Sequence, residues 1–255
     1  MQARRLASPR PRGALLPTLV VAFTATWLAG CASDGIASTA DAPRKLPVED
    51  AGDDAATDFA LIEERLLSLG TVYLDFQVSS EGVVNSHIEG TLVLQSGQAA
   101  RLAAGGTFDD RPVSLRLESD GSQISGGSAS GDFQEPTPRA LREGLVLGLT
   151  RMGLLHNLAK LSSGLPPDAT DGTARLWVKP TDIRRGKAQV GPDRTLLPFH
   201  FGILVSGRPS GEATLWVDAD TFLPVRREQT VIFPEGEMRV VERYPLVDVG
   251  GVGGA

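Results

Sequence analysis

The chain lacks most of the residues from which enzymes and disulfide scaffolds are recognised. It has a single cysteine, which excludes an intramolecular disulfide framework. Its three histidines, His87, His156 and His200, are far apart and show no metal-ligand spacing. There is no G-x-S-x-G elbow, Walker loop, H-E-x-x-H or paired CxxC. Acids are plentiful, but no pair stands out as general acid and base. The residues therefore point away from an enzyme and require no cofactor or metal. Only one apolar run is long enough to suggest a membrane span, which excludes a polytopic membrane protein. A formal charge of -6 argues against nucleic acid as a partner, because a phosphate-binding surface needs clustered cations. Hydrophobic residues still make up 41% of the chain, enough for the core of one domain, or at most two, and too many for a disordered chain.

What is present begins with an address. Arg4, Arg5, Arg10 and Arg12 precede an apolar run from Ala14 to Leu28, and no acid occurs before Asp34. Basic start, short apolar stretch and small residues at its end are the parts of a secretory signal over residues 1–30. The run holds Pro17 and three threonines, so a transmembrane helix is the weaker reading. The twin-arginine reading of Arg4-Arg5 has no further motif behind it. Leu28-Ala29-Gly30-Cys31 resembles the bacterial lipobox at all four positions. That resemblance implies a diacylglycerol on the Cys31 thiol, cleavage before Cys31 and acylation of its amine, with palmitate or a similar chain. An ordinary signal with an incidental cysteine is the plainer alternative. One acyl chain anchors only marginally, at about 0.8 kcal/mol per buried methylene, whereas two or three hold firmly. Loss of residues 1–30 removes four arginines and no acid, so the formal charge moves from -6 to -10. Contact with a membrane would then come from the lipid on Cys31, not from a basic face. Ala32 follows the cysteine where an inner-membrane retention signal has Asp, which points to the outer membrane, facing the periplasm.

Residues 31–56 are rich in Ala, Ser, Asp and Pro and read as a lipidated, flexible tether. Thr57 or Asp58 is positioned to cap a helix to about Leu69, with Phe59, Ile62, Leu66 and Leu69 on one face and Glu63 on another. The apolar period then changes to two. Val72, Leu74, Phe76 and Val78 form one inward series; Ile88, Leu92 and Leu94 a second; Ala100, Leu102 and Ala104 a third; Val113, Leu115 and Leu117 a fourth. Turns separate them at Ser80-Glu81-Gly82, Gln95-Ser96-Gly97 and Asp120-Gly121. This is an antiparallel meander with one wet face. Residues 126–137 read as a Gly/Ser/Pro loop. A second helix is predicted to about Leu161, capped by Thr137 with Pro138 in the first helical position. It is apolar on two sides, so it should lie between layers. Further strands are predicted at Ala174–Lys179, Leu197–Val205, Ala213–Asp218, Leu223–Phe233 and Met238–Val247. In the last hairpin the spacing pairs Phe233 with Met238, Val231 with Val240 and Glu228 with Arg243. Residues 249–255 read as a disordered tail. His156, on an apolar helix, reads as a hydrogen-bonded core residue more readily than as a ligand or base; His87 is on a polar strand face, and His200 fits either face.

Trp216, Asp218, Thr221, Leu223 and Pro224 form a tryptophan strand, an acidic turn and a charged strand. As chemistry this is a hairpin whose Asp and Thr side chains bond the turn backbone. As a pattern it resembles the hairpin of the bacterial periplasmic lipoprotein carrier and its outer-membrane receptor, the LolA/LolB family. The order of helix, strands, central helix and strands is similar too, over residues 57–248. The resemblance implies an α+β fold: a strongly curved antiparallel sheet, an unclosed β-barrel, with helices covering its concave face. It also implies a groove for a lipid or a lipoprotein acyl chain. Val72, Leu74, Phe76, Val78, Ile88, Leu92, Leu94, Val113, Leu115 and Leu117 would then line that groove, or simply fill a dry core. Two functions follow: a lipid-anchored envelope protein that binds or transfers a hydrophobic ligand, or an envelope sensor or scaffold that binds a protein and has no cavity. A hydrolase, third, would need His156 or His200 beside an acid.

Overall fold

Alternating strands with short turns can bury their apolar face only by pairing side by side and closing over other elements. In the computed structural model they do so as one antiparallel sheet. The structure describes residues 54–128, 131–157, 174–176, 178–205 and 207–250. The predicted signal, Cys31, tether residues 32–53, Leu158 and Leu161 lie outside them, while Asp54, Ala55 and Ala56, read as the end of the tether, are helical. Helix α1 (Asp54–Ser68) is followed by β1 (Thr71–Gly82), β2 (Ser86–Leu94), β3 (Ala99–Phe108), β4 (Arg111–Asp120), β5 (Gln123–Ser128) and β6 (Gly131–Pro136). Helix α2 (Leu141–Leu147) and a π-helical turn (Gly148–Met152) come next. A 3-10 turn (Ala174–Leu176) leads to β7 (Val178–Arg185), β8 (Gln189–Val190), β9 (Thr195–Val205), β10 (Arg208–Asp218), β11 (Pro224–Phe233) and β12 (Gly236–Gly250). The 12 strands form one sheet in the order β6-β5-β4-β3-β2-β1-β12-β11-β10-β9-β7, with β8 beside β9. Strands β6 and β7 are its edges, so the barrel is unclosed and the fold is α+β.

One core cluster contains inward residues from β1–β5, β7 and β9–β12 together with both helices. A flat sheet cannot bring strands so far apart in its order into one core, so the sheet wraps around the helices. Helix α1 buries Ala55, Phe59, Ile62 and Leu66, spaced at helical intervals. The Phe59 ring meets Phe199 and Phe201 of β9 edge-on, at centroid distances of 6.1 and 5.1 Å. Asp58 of the same helix pairs with Arg185 of β7 at 2.8 Å.

The structure corrects the sequence reading in several places. Helix α1 begins at Asp54, not after a cap at Thr57 or Asp58. Its Glu63 is buried, while Leu61 is exposed. Residues 126–137 are not a loop: most of them form β5 and β6. The Phe133 ring lies over its cross-strand partner Gly126, where an added Cβ would come within 2.7 Å of it. A strand pair that borrows its packing from one aromatic over glycine shows no apolar alternation. Thr137 does not cap α2. Its hydroxyl bonds Ser119 at 2.8 Å, and the helix starts after Ala140. Helix α2 does not run unbroken to Leu161, because the chain breaks at Gly153. The strand predicted from Ala174 starts at Val178.

In the β11–β12 hairpin the register is two residues from the predicted one. Val231 pairs with Met238, Gln229 with Val240, Arg227 with Glu242 and Glu228 with Val241. A shift of two leaves every side chain on its predicted face, so alternation could not reveal it. Strand β12 crosses the middle of the sheet despite Pro245, which has no N–H to donate. The register with β1 slips there, between Asp75 and Gln77. Beyond the bulge β12 runs on, with Val249 opposite Val72, further than the predicted Val247.

Two turns are held by carboxylates. Asp120 accepts from the amides of Ser122 and Gln123 and from the Ser122 hydroxyl. Asp218 accepts from the amides of Asp220 and Thr221 and the Thr221 hydroxyl. The amides of Gln123 and Ser122 hold the Asp120 carboxyl below its ordinary value. At Asp218 burial pushes upward, but the bonds from Thr221 and Asp220 outweigh it and the net direction is down. Each carboxylate thus adds stability above the unfolded carboxyl range, about pH 4, and loses it as the pH falls through the lower folded value. The melting temperature of an Asp120→Ala/Asp218→Ala variant should lie below wild type at neutral pH, and the gap should narrow steadily below about pH 4. Calorimetry over that range checks this; a gap independent of pH would refute it.

Candidate functional site

Under the helical cover, β7, β10 and β11 meet the π turn, and Tyr244 of β12 donates to its Leu149 carbonyl at 3.3 Å. The π turn closes with an N–H from Gly153 to the Gly148 carbonyl at 2.8 Å. Such turns occur inside helices and are frequent at functional sites. Gly153 then takes φ 134 and ψ 138, which breaks the helix. Helical geometry resumes at Leu154 and is described to Asn157.

Directly below Gly153 is a buried polar seam that the sequence reading missed. Arg227 is 1% exposed and Glu242 2%, and Arg227 Nη2 meets Glu242 Oε1 at 3.0 Å. The Arg227 guanidinium also bonds Gln229 Oε1. Tyr244 donates to Glu242 Oε2 at 2.5 Å. Burial by itself would discharge Arg227, but Glu242 and Tyr244 outweigh it and hold the guanidinium more firmly protonated than usual. Burial, then Glu242, pushes the Tyr244 phenol well above its ordinary value, so it stays a donor. A Cβ added to Gly153 would sit 2.9 Å from Arg227 Nη2 and 3.0 Å from Glu242 Oε1. Only glycine lets the cover approach this ion pair so closely.

Two further buried arginines tie the cover down. Arg151 of the π turn makes a two-pronged bond to Glu63 of α1, both contacts 2.6 Å, and reaches the Val178 carbonyl at 2.7 Å. Thr150 adds a hydroxyl to the same carboxylate at 2.9 Å. Arg142 donates to the carbonyls of Leu66, Leu69 and Gln95, satisfying the end of α1.

Beside the seam lies a cavity of about 40 Å³. Val78, Val84, Phe108, Met152, Leu155, Met238 and Val240 form its apolar wall. Ser80, Ser86, His156, Gln229 and Glu242 form its polar end. That volume holds a water molecule, whereas benzene needs a cavity of about 150 Å³. Of the ten predicted groove residues, Val72, Leu74, Phe76, Val78, Ile88, Leu92, Leu94 and Leu117 are buried against the core. Val113 and Leu115 pack against it while partly exposed. Val78 alone among the ten borders the cavity; Phe76 and Leu115 reach a shallow groove of about 1030 Å³ on the other face of the sheet. The lining of that groove is mixed: Asp75, Gln77, Glu89, Arg116 and Asp132 alternate with Phe76, Ala103, Ala104, Leu115 and Pro245.

The histidines stay apart. His156 is buried, with Nδ1 3.1 Å from Asn157 Oδ1, and Asn157 in turn donates to the Gly144 carbonyl at 2.8 Å. His200 is on the outer face with Nδ1 2.9 Å from Thr214 Oγ1; burial, then Arg184, pulls its pKa down. His87 is exposed on β2. His156 shares the cavity with Glu242, but that carboxylate is already engaged by Arg227 and Tyr244. Among the described residues no three His, Cys, Asp or Glu side chains gather as a metal site would require. The turn that carried the sequence resemblance is built by Asp218 and Thr221 as predicted, with Trp216 on the outer face opposite Arg226.

No family model and no curated protein sequence matches the chain. Solved structures similar to it include a LolA superfamily protein. That protein, from Nitrosomonas europaea, is 9% identical, with a TM-score of 0.32 over 78% of this chain and 94% of the other. A putative outer-membrane lipoprotein-sorting domain from Vibrio parahaemolyticus is 6% identical, with a TM-score of 0.33 over 80% and 94%. MucB in complex with the periplasmic part of MucA gives 14% identity and a TM-score of 0.35, covering 79% of this chain and 56% of MucB. The chain thus spans little more than half of that MucB chain.

Proposed function

We propose that this chain is a lipid-anchored bacterial envelope protein that binds or hands over a hydrophobic ligand, a lipid or lipoprotein acyl chain, without covalent chemistry. The observation that carries the reading is the cavity with an apolar wall and a polar end, lying under a helical cover broken at Gly153. Its polar end suits the head of an amphiphile and its aliphatic wall the first methylenes. At about 40 Å³ the cavity is too small for an acyl chain, so on this reading it is the unloaded form. Loading then requires the cover to lift, exposing the predicted groove residues on β1, β2 and β4 to the chain. Each buried methylene would return about 0.8 kcal/mol against that opening. Cys31 would carry the anchor, with Ala32 placing the protein at the outer membrane.

The second reading is an envelope sensor or scaffold that binds a protein and has a solid interior. The closed cavity and the two open sheet edges, β6 and β7, favour it. One experiment separates the two. The protein is purified from a bacterial envelope, and native mass spectrometry with lipid extraction reads its cargo. A bound lipid besides the Cys31 anchor, and uptake of a fluorescent fatty acid, are the expected results. A Cys31→Ser variant controls for the anchor. A protein that carries no lipid, takes up no fatty acid and instead retains a protein partner on β6 or β7 decides for the second reading.

A further inference from the structure

The outer face of β10–β12 carries a feature that neither reading uses. One cross-strand row there runs Pro198, Trp216, Arg226, Arg243, Gln77, Glu89. Arg226 and Arg243 are directly opposite each other. Like charges in that position destabilise a sheet, so the pair calls for an explanation. Arg226 stacks on Trp216, its guanidinium carbon 5.0 Å from the ring centre. Stacking holds the planar fork in place with an edge free to bond. Its Nε is buried and finds no hydrogen-bond acceptor among the described residues. Arg239 is close by on β12, and Arg226 and Arg239 share one acid, Glu228, the second at 3.1 Å. Among the described residues no acid pairs with Arg243; Glu81 is across the ladder from Arg239. Arg226 and Arg239 thus bond a single carboxylate and Arg243 none, while Glu81 faces Arg239 and Glu89 is two strands from Arg243, so the guanidinium groups of Arg226 and Arg243 exceed the acid bonded to them.

We propose that Arg226 and Arg243, with Arg239 beside them and Trp216 as backing, form a binding site for a phosphate monoester. The charge selects the class. A phosphomonoester carries about -1.5 to -2 at pH 7 and offers three acceptor oxygens, enough for two guanidinium forks from adjacent strands. A carboxylate brings only one charge and two oxygens. Glycerol phosphate in solution and the head of phosphatidic acid in a membrane share this chemistry. The site is on the opposite face from the cavity and does not depend on the function proposed above.

The test is calorimetric titration of the full chain in a neutral detergent with glycerol 1-phosphate, inorganic phosphate and acetate at constant ionic strength. The phosphate ligands should saturate by about 10 mM, with acetate at least about tenfold weaker. Affinity should fall below about pH 6, as the phosphate takes up its second proton. Arg243→Gln, which breaks no described ion pair, should weaken binding about tenfold while the melting temperature stays at the wild-type value. Phosphatidic acid in the same micelles should compete with glycerol phosphate; tighter binding of the lipid names the membrane as the source, and equal binding names a soluble ester. No saturation by wild-type protein, equal affinity for acetate, or an unchanged affinity in Arg243→Gln overturns the site. The acetate and pH comparisons use wild-type protein alone, so a variant that fails to fold leaves the test intact.

Discussion

Replacing Arg227 by methionine should lower the unfolding free energy by about 3–5 kcal/mol, one of the largest losses available to a single substitution here. The change strands Glu242, which is 2% exposed, with only the Tyr244 hydroxyl for company, and it deprives Gln229 of its donor. A buried carboxylate without its cation pays the desolvation that the ion pair had offset. Glu242→Leu alone should cost a similar amount by stranding the guanidinium. The double replacement should cost clearly less than the sum, because two apolar side chains of comparable size can fill the same space. Urea unfolding followed by circular dichroism gives all four corners of the cycle, with the slope unchanged if the transition stays two-state. A coupling energy below about 0.5 kcal/mol would mean that the two groups do not act as a pair, and would remove the seam from the account of the fold.

Gly153→Ala should produce the second large effect, and a more local one. At φ 134 and ψ 138 an L-residue is strained by about 1–3 kcal/mol before any contact is considered. The new methyl would also press on Arg227 Nη2 and Glu242 Oε1. Forcing a group into a packed site costs about another 1–3 kcal/mol. The cover can escape most of this by lifting, so hydrogen exchange should rise over residues 141–157 and stay unchanged in β1 and β2. If the ligand enters by lifting the cover, the same variant should take up fluorescent fatty acid faster than wild type. Gly105→Ala is the control. A Cβ there meets nothing nearer than 3.8 Å, and the change should stay within about 0.5 kcal/mol. Equal effects at 153 and 105 would refute the claim that Gly153 alone permits the close approach.

The seam was written in the inward series all along. On β11 the buried positions read Arg227, Gln229, Val231, Phe233, and on β12 Met238, Val240, Glu242, Tyr244. The polar members look like errors of alternation until the pairing is known. With Val231 opposite Val240, as the hydrophobic match suggested, Arg227 would face Tyr244 and no acid; two residues over, it faces Glu242. Likewise Arg142 and Arg151 belonged to a helix that read as apolar on two sides, and acceptors that let them be buried come from α1 and β7 among other segments, such as the Leu66 and Val178 carbonyls. Those acceptors are 76 and 27 positions away along the chain. The ten apolar residues on β1, β2 and β4 were easy to assign to one face, because their neighbours in the chain alternate with them.

By itself the sequence determined which residues of each strand face inward, where most turns fall, that one face of the sheet must be covered, and that the likeness to secreted lipoprotein precursors is confined to the first 31 positions. All of these are local: a period of two, a turn residue or a signal pattern needs only a few neighbours to be read. The tertiary structure decided the hairpin register, the strands β5 and β6, the break at Gly153 and the polar seam beneath it. Alternation is blind to a shift of two, a strand packed by one aromatic over glycine has no period to detect, and a buried charge is tolerable only beside a partner that the fold brings from a distance.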